Sequence, residues 1–366
     1  MASQSKIKLL IFTPTLQCGG SEKFVSTLCN NINTGQFSVS LAVLNNTSPF
    51  YKINNEAIEV IDLQTGRVRN ALFKIKKLVN KIQPDIIFST ANHLNLLFAI
   101  FRGWFPRNIK FVARESSIVS INSQRATMPW LYNRLIKKYY KRFDFIICQS
   151  GYMQQDLISN YHIPANKTAV VYNAVEEKQS SHLSNAGNSS DKIYKLVSVA
   201  RLSEEKGIGR LIHAVGLLTL PFEFYIIGDG DQKEKLQSLV NELQLQENIF
   251  LLGEKAEPFS GMEDADLFLM GSYYEGFPNS LLEAQAMGIP SIAFNAPGGI
   301  PEMISKENGI LVDDNDILGF ASTIREGLSA DFNRVAITEN TRKRFSVHVI
   351  VPQIEKLLLQ QGEQNK

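Results

Sequence analysis

The sequence predicts an α/β protein of two doubly wound, parallel-sheet domains, and three observations predict it. Short β-rich runs alternate with helical patterns along both halves of the chain, as βαβ units require. A polar stretch, KQSSHLSNAGNSSD, breaks that alternation near the middle. The 366 residues exceed what one ordinary core holds, so two domains are the default.

In the first half, strands are expected over 8–13, 39–43, 58–61, 85–89, 110–114, 145–148 and 169–172. Helices between them include 21–31, 69–82 and 129–142. Residues 179–191 read as a linker, because Ser, Asn and Gly replace apolar residues there. This gives domains over 1–178 and 192–345. The second half restarts with strands at 194–199, 223–227, 249–252, 267–270 and 291–294. Its helices fall at 208–218, 232–243 and 280–287, and 346–361 forms a final amphipathic helix. In doubly wound sheets ligands bind beyond the carboxyl ends of the strands, and two facing domains would place a site in a cleft.

Composition narrows the class. With 44% hydrophobic and 20% charged residues the chain is globular, neither disordered nor fibrous. Three separated cysteines, Cys18, Cys29 and Cys148, make no CxxC pair, which argues against zinc or a disulfide framework and fits a reducing cytoplasm. No secretory signal is read at the start, and no run approaches the roughly 20 apolar residues that span a bilayer. The net charge of +2 conceals an asymmetry: residues 1–178 hold 22 Lys/Arg against 10 Asp/Glu, and the remainder 16 against 26. A basic first half prefers an anionic surface or acceptor. The segment 102–142, from Arg102 to Arg142, carries ten Lys/Arg and one acid, Glu115, interleaved with Trp104, Phe105, Trp130, Tyr132, Tyr139, Tyr140 and Phe143. That mixture suits an anionic membrane interface; the alternative is a basic helix over ordinary core aromatics. No nucleic-acid motif accompanies it.

Four loops carry candidate chemistry. Gly19 and Gly20 follow the first strand and open a helix, where backbone N–H groups can meet an anion; a tight turn is the alternative. In VARLSEEKG, Arg201 and Lys206 flank the loop after the first strand of the second half, a placement suited to a diphosphate. An exposed charged loop would look the same. In YEGFPNSLLEA, Glu275 and Glu283 stand eight apart. Glu275 falls in the loop after a strand, Pro278 suits a first helical turn, and Glu283 leans back from within the helix. Gly276, Phe277, Pro278, Asn279, Ser280 and Leu281 supply the helix start, whose N–H groups suit phosphate. Two acids that merely favour a helix start would give the same pattern. In APGGIPE, Gly298 and Gly299 form a rigid turn and Glu302 follows. His93, Arg114 and Glu115 are expected at the carboxyl edge of the first sheet, facing the cleft.

In order along the chain, GGSE, VVYNAV, VARLSEEKG, IIGDG and EGFPNSLLE resemble the motifs of the retaining family 4 glycosyltransferases (GT4), which have the GT-B fold of two Rossmann-like domains. The resemblance spans nearly the whole chain. It implies that Arg201 and Lys206 bind the donor diphosphate and stabilise the departing nucleotide in place of a metal. By the same resemblance Glu283 holds the ribose, Glu275 meets the donor sugar, and Gly228 belongs to the donor site. Gly19 and Gly20 lie near the phosphates or acceptor, and the tail helix, within 346–362, rejoins the first domain. No cofactor or metal is implied beyond the nucleotide-sugar donor, a UDP-sugar by preference. The implied acceptor is a glycan or a polyprenyl-diphosphate-linked glycan of the surface polysaccharides (O-antigen or capsule), met at the inner face of the cytoplasmic membrane. The first domain departs from the pattern: Phe88, Ser89 and Thr90 stand where relatives carry a His, so His93 is displaced, and Ser116 follows Glu115 where a His is usual.

A nicotinamide dehydrogenase would need GxGxxG and an acid about 20 residues on; Gly228, Asp229 and Gly230 do not supply it. A GDP-mannose-dependent mannosyltransferase, a sugar-nucleotide epimerase and a non-catalytic nucleotide-binding subunit remain open at this level.

Overall fold

A computed structural model describes residues 6–66, 68–176 and 192–363; the expected linker, 179–191, lies outside them. The chain forms two compact units, Met1–Glu176 with Val347–Lys366, and Glu177–Ser346.

The first unit contains strands β1 (Ile7–Thr13), β2 (Phe37–Val43), β3 (Glu59–Asp62), β4 (Ile86–Ser89), β5 (Lys110–Arg114), β6 (Phe145–Cys148) and β7 (Thr168–Val170). They pair in the order β3-β2-β1-β4-β5-β6-β7, parallel throughout. In β1, IKLLIFT, every side chain but Lys8 is buried, because helices cover both faces of a parallel sheet. Its helices are α1 (Gly20–Asn31), α2 (Val68–Ile82), α3 (Asn92–Phe101), α4 (Val119–Gln124), α5 (Pro129–Tyr139) and α6 (Gly151–Tyr161). A 3-10 turn, Tyr140–Arg142, extends α5.

The second unit has strands β8 (Tyr194–Val199), β9 (Phe222–Ile227), β10 (Ile249–Gly253), β11 (Leu267–Met270), β12 (Ser291–Phe294) and β13 (Gly309–Val312). They run parallel in the order β10-β9-β8-β11-β12-β13. Helices α7 (Ile208–Val215), α8 (Lys233–Glu242), α9 (Asn279–Ala286), α10 (Ile300–Met303), α11 (Ile317–Ser329) and α12 (Arg334–Phe345) belong to it. Of these, β13, α10, α11 and α12 have no counterpart among the expected elements.

The last helix, α13 (Val347–Glu363), packs on the first unit. Val347, Ile350, Val351, Ile354 and Leu358 are buried in the same core as Leu9, Val25 and Leu28. Burial of such a side chain contributes on the order of 2 kcal/mol. The Val347 N–H donates to the Val175 carbonyl (3.2 Å), and the Asn33 N–H to Glu355 Oε1 (2.6 Å).

Both sheets reverse direction of growth beside their first strand, between β1 and β4 and between β8 and β11. At such switch points the loops diverge and leave a crevice at the carboxyl edge.

Candidate active site

Four glycine-bearing loops, those after β8, β9, β11 and β12, join in two pairs on either side of the β8/β11 switch point. The Ala200 N–H donates to the Ile227 carbonyl (3.0 Å) and the Leu202 N–H to the Asp229 carbonyl (2.9 Å). Gly228, with φ 143°, lets these strands approach: a Cβ there would lie 1.9 Å from the Ala200 carbonyl oxygen. On the other side, the Glu275 N–H donates to the Pro297 carbonyl (3.0 Å) and the Gly299 N–H to the Glu275 carbonyl (3.2 Å). Gly298, with φ 117°, is required for that crossing, since its Cβ would fall 1.5 Å from the same carbonyl oxygen. The IIGDG and APGG segments are therefore backbone-to-backbone junctions.

Across the switch point, Lys206 Nζ donates to Glu275 Oε1 at 2.6 Å. Their side chains are 25% and 12% exposed, so the pair is partly sheltered yet open to a ligand. Ser272 Oγ donates to the same carboxylate oxygen at 2.7 Å. The Tyr273 N–H donates to the Glu205 carbonyl (2.9 Å), joining the β11 loop to the 3-10 turn Glu204–Lys206 that ends with Lys206. Ser203 precedes this turn and spends its hydroxyl on Glu205 Oε1 (2.7 Å).

Helix α9 begins at Asn279, with Pro278 before it in an extended conformation as an N-cap residue whose side chain makes no cap hydrogen bond. Pro278 is thus the residue before the helix, where the sequence placed it in the first turn. The start of α9 lies on the chain directly after Glu275–Phe277, and Glu283 is half-buried one turn in. Leu281 is buried and Ser280 half-buried. Arg201 is exposed; its carbonyl accepts from the Ser203 N–H (2.9 Å), and its side chain makes no hydrogen bond or ion pair among the described residues.

Arg210 on α7 gave no sequence signal, yet it braces this region. Its Nε donates to the Gly271 carbonyl (2.6 Å) and Nη2 to the Ser272 carbonyl (2.5 Å). Its Nη1 reaches Asp314 Oδ1 at 2.7 Å. The guanidinium also stacks on Phe294 and Tyr273, 3.8 and 4.0 Å from the ring centroids. Burial lowers its pKa, and Asp314 opposes that shift.

The expected residues of the first half belong to the other unit. Gly19 precedes α1 in extended conformation, and Ser21 Oγ donates to the Thr90 carbonyl (2.7 Å), spanning the β1/β4 switch point. His93 is exposed near the start of α3, although neighbouring protein desolvates it enough to lower its pKa. Arg114 and Glu115 do not face a cleft: both are 0% exposed. Arg114 stacks 3.6 Å from the Phe24 ring centroid and bonds to Asn173. Glu115 Oε1 accepts from Asn95 Nδ2 (2.8 Å). Burial pushes the Glu115 pKa up to about 7 and the Arg114 pKa down to about 9. Residues that close the ends of buried strands are themselves covered here, by α3 and the segment after β7.

The sequence matches two family models, one following the other along the chain. Residues 18–179 match "Glycosyltransferase Family 4" and residues 180–344 match "Glycosyl transferases group 1". The chain belongs to the family 4 glycosyltransferases. An uncharacterized glycosyltransferase of Methanocaldococcus jannaschii is 29% identical to it over 67% of this chain and 64% of that one. The N-acetylgalactosamine-N,N'-diacetylbacillosaminyl-diphospho-undecaprenol 4-alpha-N-acetylgalactosaminyltransferase of Campylobacter jejuni is 28% identical over 84% of this chain and 87% of its own. Among solved structures, Anabaena Alr3699/HepE in complex with UDP-glucose superposes with TM-score 0.79, at 19% identity, over 97% of this chain and 100% of that one. That neighbour shares the fold, which is GT-B. This glycosyltransferase therefore has two parallel-sheet Rossmann-like units, and its family assigns hexosyl transfer to it. The two family models adjoin at residues 179 and 180, and the loops after β8, β9, β11 and β12 all fall in the second.

Proposed function

We propose that this glycosyltransferase moves a hexose or N-acetylhexosamine, with retention, from a UDP-sugar to a polyprenyl-diphosphate-linked glycan during surface polysaccharide synthesis. One observation carries the reading: the Lys206–Glu275 pair, 2.6 Å across the β8/β11 switch point, with Glu275 in the loop that leads into helix α9. The donor diphosphate would lie against that helix start with Lys206 and Arg201 as counter-charges. Glu275 holds Lys206 in place before the donor arrives and then accepts hydrogen bonds from sugar hydroxyls. Glu283, one turn into α9, takes the ribose hydroxyls.

In the transfer the bond from the anomeric carbon to the diphosphate oxygen breaks, and a bond to the acceptor hydroxyl forms on the same face. The acceptor proton passes to the departing diphosphate. Charge builds on that leaving group, and fixed cations stabilise it as it forms. Because two side-chain cations serve there, activity should persist in excess EDTA; loss on chelation and return with a divalent cation would contradict this.

The first unit is then the acceptor side, with Gly19 and Gly20 at its β1/β4 switch point. Its basic segment faces an anionic membrane at the inner leaflet. The lipid-linked acceptor is supported by the name of the Campylobacter relative, which describes a diphospho-undecaprenol-linked glycan. The test is nucleotide release from a panel of UDP-, GDP- and ADP-sugars, with and without a lipid-linked acceptor. Acceptor-dependent release of UDP supports the proposal. Release of GDP alone would replace the donor with a GDP-sugar such as GDP-mannose, and conversion of donor without acceptor would indicate an epimerase.

A further inference from the structure

Glu275 is held in place by protein alone. Its N–H donates to the Pro297 carbonyl and its own carbonyl accepts from the Gly299 N–H, which settles the backbone. Its side chain takes two donors, Lys206 Nζ at 2.6 Å and Ser272 Oγ at 2.7 Å, and both fall on Oε1. Oε2 takes none among the described residues. Nor is Oε2 one of the partnerless atoms sealed from solvent, as its counterpart in Glu115 is. One oxygen of the carboxylate is thus turned inward and the other is left for a ligand.

The two donors are not equivalent. Lys206 carries an ammonium with three protons on a flexible stem, and it can pair with either carboxylate oxygen. The last torsion of a glutamate is broad and two-fold, so Lys206 alone does not decide which oxygen faces out. Ser272 does. It is 2% exposed and stands three residues before Glu275 on a pinned backbone. The Gly271 and Ser272 carbonyls accept from Arg210 Nε and Nη2 at 2.6 and 2.5 Å. A hydroxyl fixed in this way has one proton to give, and a carboxylate receives it in a short, charge-assisted bond.

We propose that Ser272 is a positioning residue for the transfer: its hydroxyl keeps Oε1 of Glu275 inward, so that Oε2 meets the donor sugar and stays in place when Lys206 turns to the diphosphate. The inference rests on the donor reading of the Lys206–Glu275 pair and deepens it. In the free protein the Glu275 carboxylate has two side-chain donors. Once Lys206 serves the diphosphate, Ser272 remains to hold it. Ser272 therefore acts only through Glu275, which sets it apart from a residue that merely packs the loop.

The test is a double-mutant cycle on the full chain. Acceptor-dependent nucleotide release is measured for wild type, Ser272→Ala, Glu275→Ala and the double variant, with the UDP-sugar that supports turnover in the panel above. Ser272→Ala should lower kcat/KM about tenfold, the effect of one lost charge-assisted hydrogen bond. In the Glu275→Ala background the same change should cost no more than about twofold, because its target is gone. Affinity for UDP, which carries no sugar, should be the same in wild type and Ser272→Ala. Ser272→Cys keeps the side-chain size with a weak donor and should lose as much activity as Ser272→Ala. An equal loss in both backgrounds overturns the proposal, as does Ser272→Ala at the wild-type rate, full activity in Ser272→Cys, or weakened UDP binding in Ser272→Ala. If Glu275→Ala itself stays within a few-fold of wild type, the donor reading fails and this inference falls with it.

Discussion

At the scale of single residues, the chain separates two kinds of buried charge. Lys206 and Glu275 are partly exposed and paired, so a ligand can reorganise them. Arg114 and Glu115 are sealed, with Glu115 Oε2 and Arg114 Nε and Nη1 lacking partners. Burial raises the Glu115 pKa to about 7 from its ordinary value of 4.5. An acid whose folded pKa is raised holds its proton longer in the folded state. Stability is therefore greatest below the unfolded pKa and declines as pH rises through about 7. Thermal melts between pH 5 and 8 should show this decline, and Glu115→Gln should flatten it; an unchanged slope in the variant would assign the pH dependence elsewhere. The sequence had placed this pair at an open edge. A charged dipeptide closing a strand reads as exposed, and only tertiary cover by α3 and the segment after β7 makes it core.

At the scale of elements, the loops at the β8/β11 switch point behave as a braced frame. Arg210 ties α7 to the β11 loop and to Asp314. Removing one partner of a buried charged network costs about 3 kcal/mol or more. Arg210→Ala should lower the melting temperature by several degrees and reduce activity, although Arg210 lies outside the donor-binding residues. A melt identical to wild type would show that the frame is held by other contacts. Gly298→Ala should be at least as disruptive, because no movement of a flexible side chain relieves contact with the Glu275 carbonyl. Arg210 was invisible in the sequence: within an amphipathic helix an arginine reads as solvent-facing. The glycines were visible as turns, but their pairing across loops depends on strand order.

At the scale of the molecule, most of the architecture was legible. Parallel strands are buried on both faces, so β4, β6, β11 and β12 stand out as short, nearly all-apolar runs, and β1 as one interrupted at Lys8. Helix α3 was harder to read: it is buried nearly all round and shows no periodic face, and α12 carries mostly polar residues with no apolar stripe. The aromatic-basic segment divides between its two readings. Phe105, Tyr140 and Phe143 are core, whereas Trp104 and Trp130 are 45% and 66% exposed, on the same segment of chain as Arg134, Lys137, Lys138 and Lys141. Among the described residues no helix is long and apolar enough to cross a membrane. The protein should sediment with vesicles containing anionic lipid at low salt and release as salt screens the charges. Trp130→Ala with Lys137→Ala and Lys138→Ala should weaken that binding at least tenfold, at roughly 1 kcal/mol per cation near the surface. Failure to bind such vesicles removes the membrane part of the proposal.

The central claim is that the Lys206–Glu275 pair marks a working donor site. It is tested most directly by acceptor-dependent nucleotide release from wild type, Lys206→Ala and Glu275→Ala, with nucleotide binding followed in the same preparations. The account predicts a loss of turnover of about 10²- to 10³-fold in each variant, the scale of losing one preorganised charge stabiliser, with UDP still bound by the folded proteins. Turnover within a few-fold of wild type in both variants would contradict it and move the catalytic site away from the β8/β11 switch point.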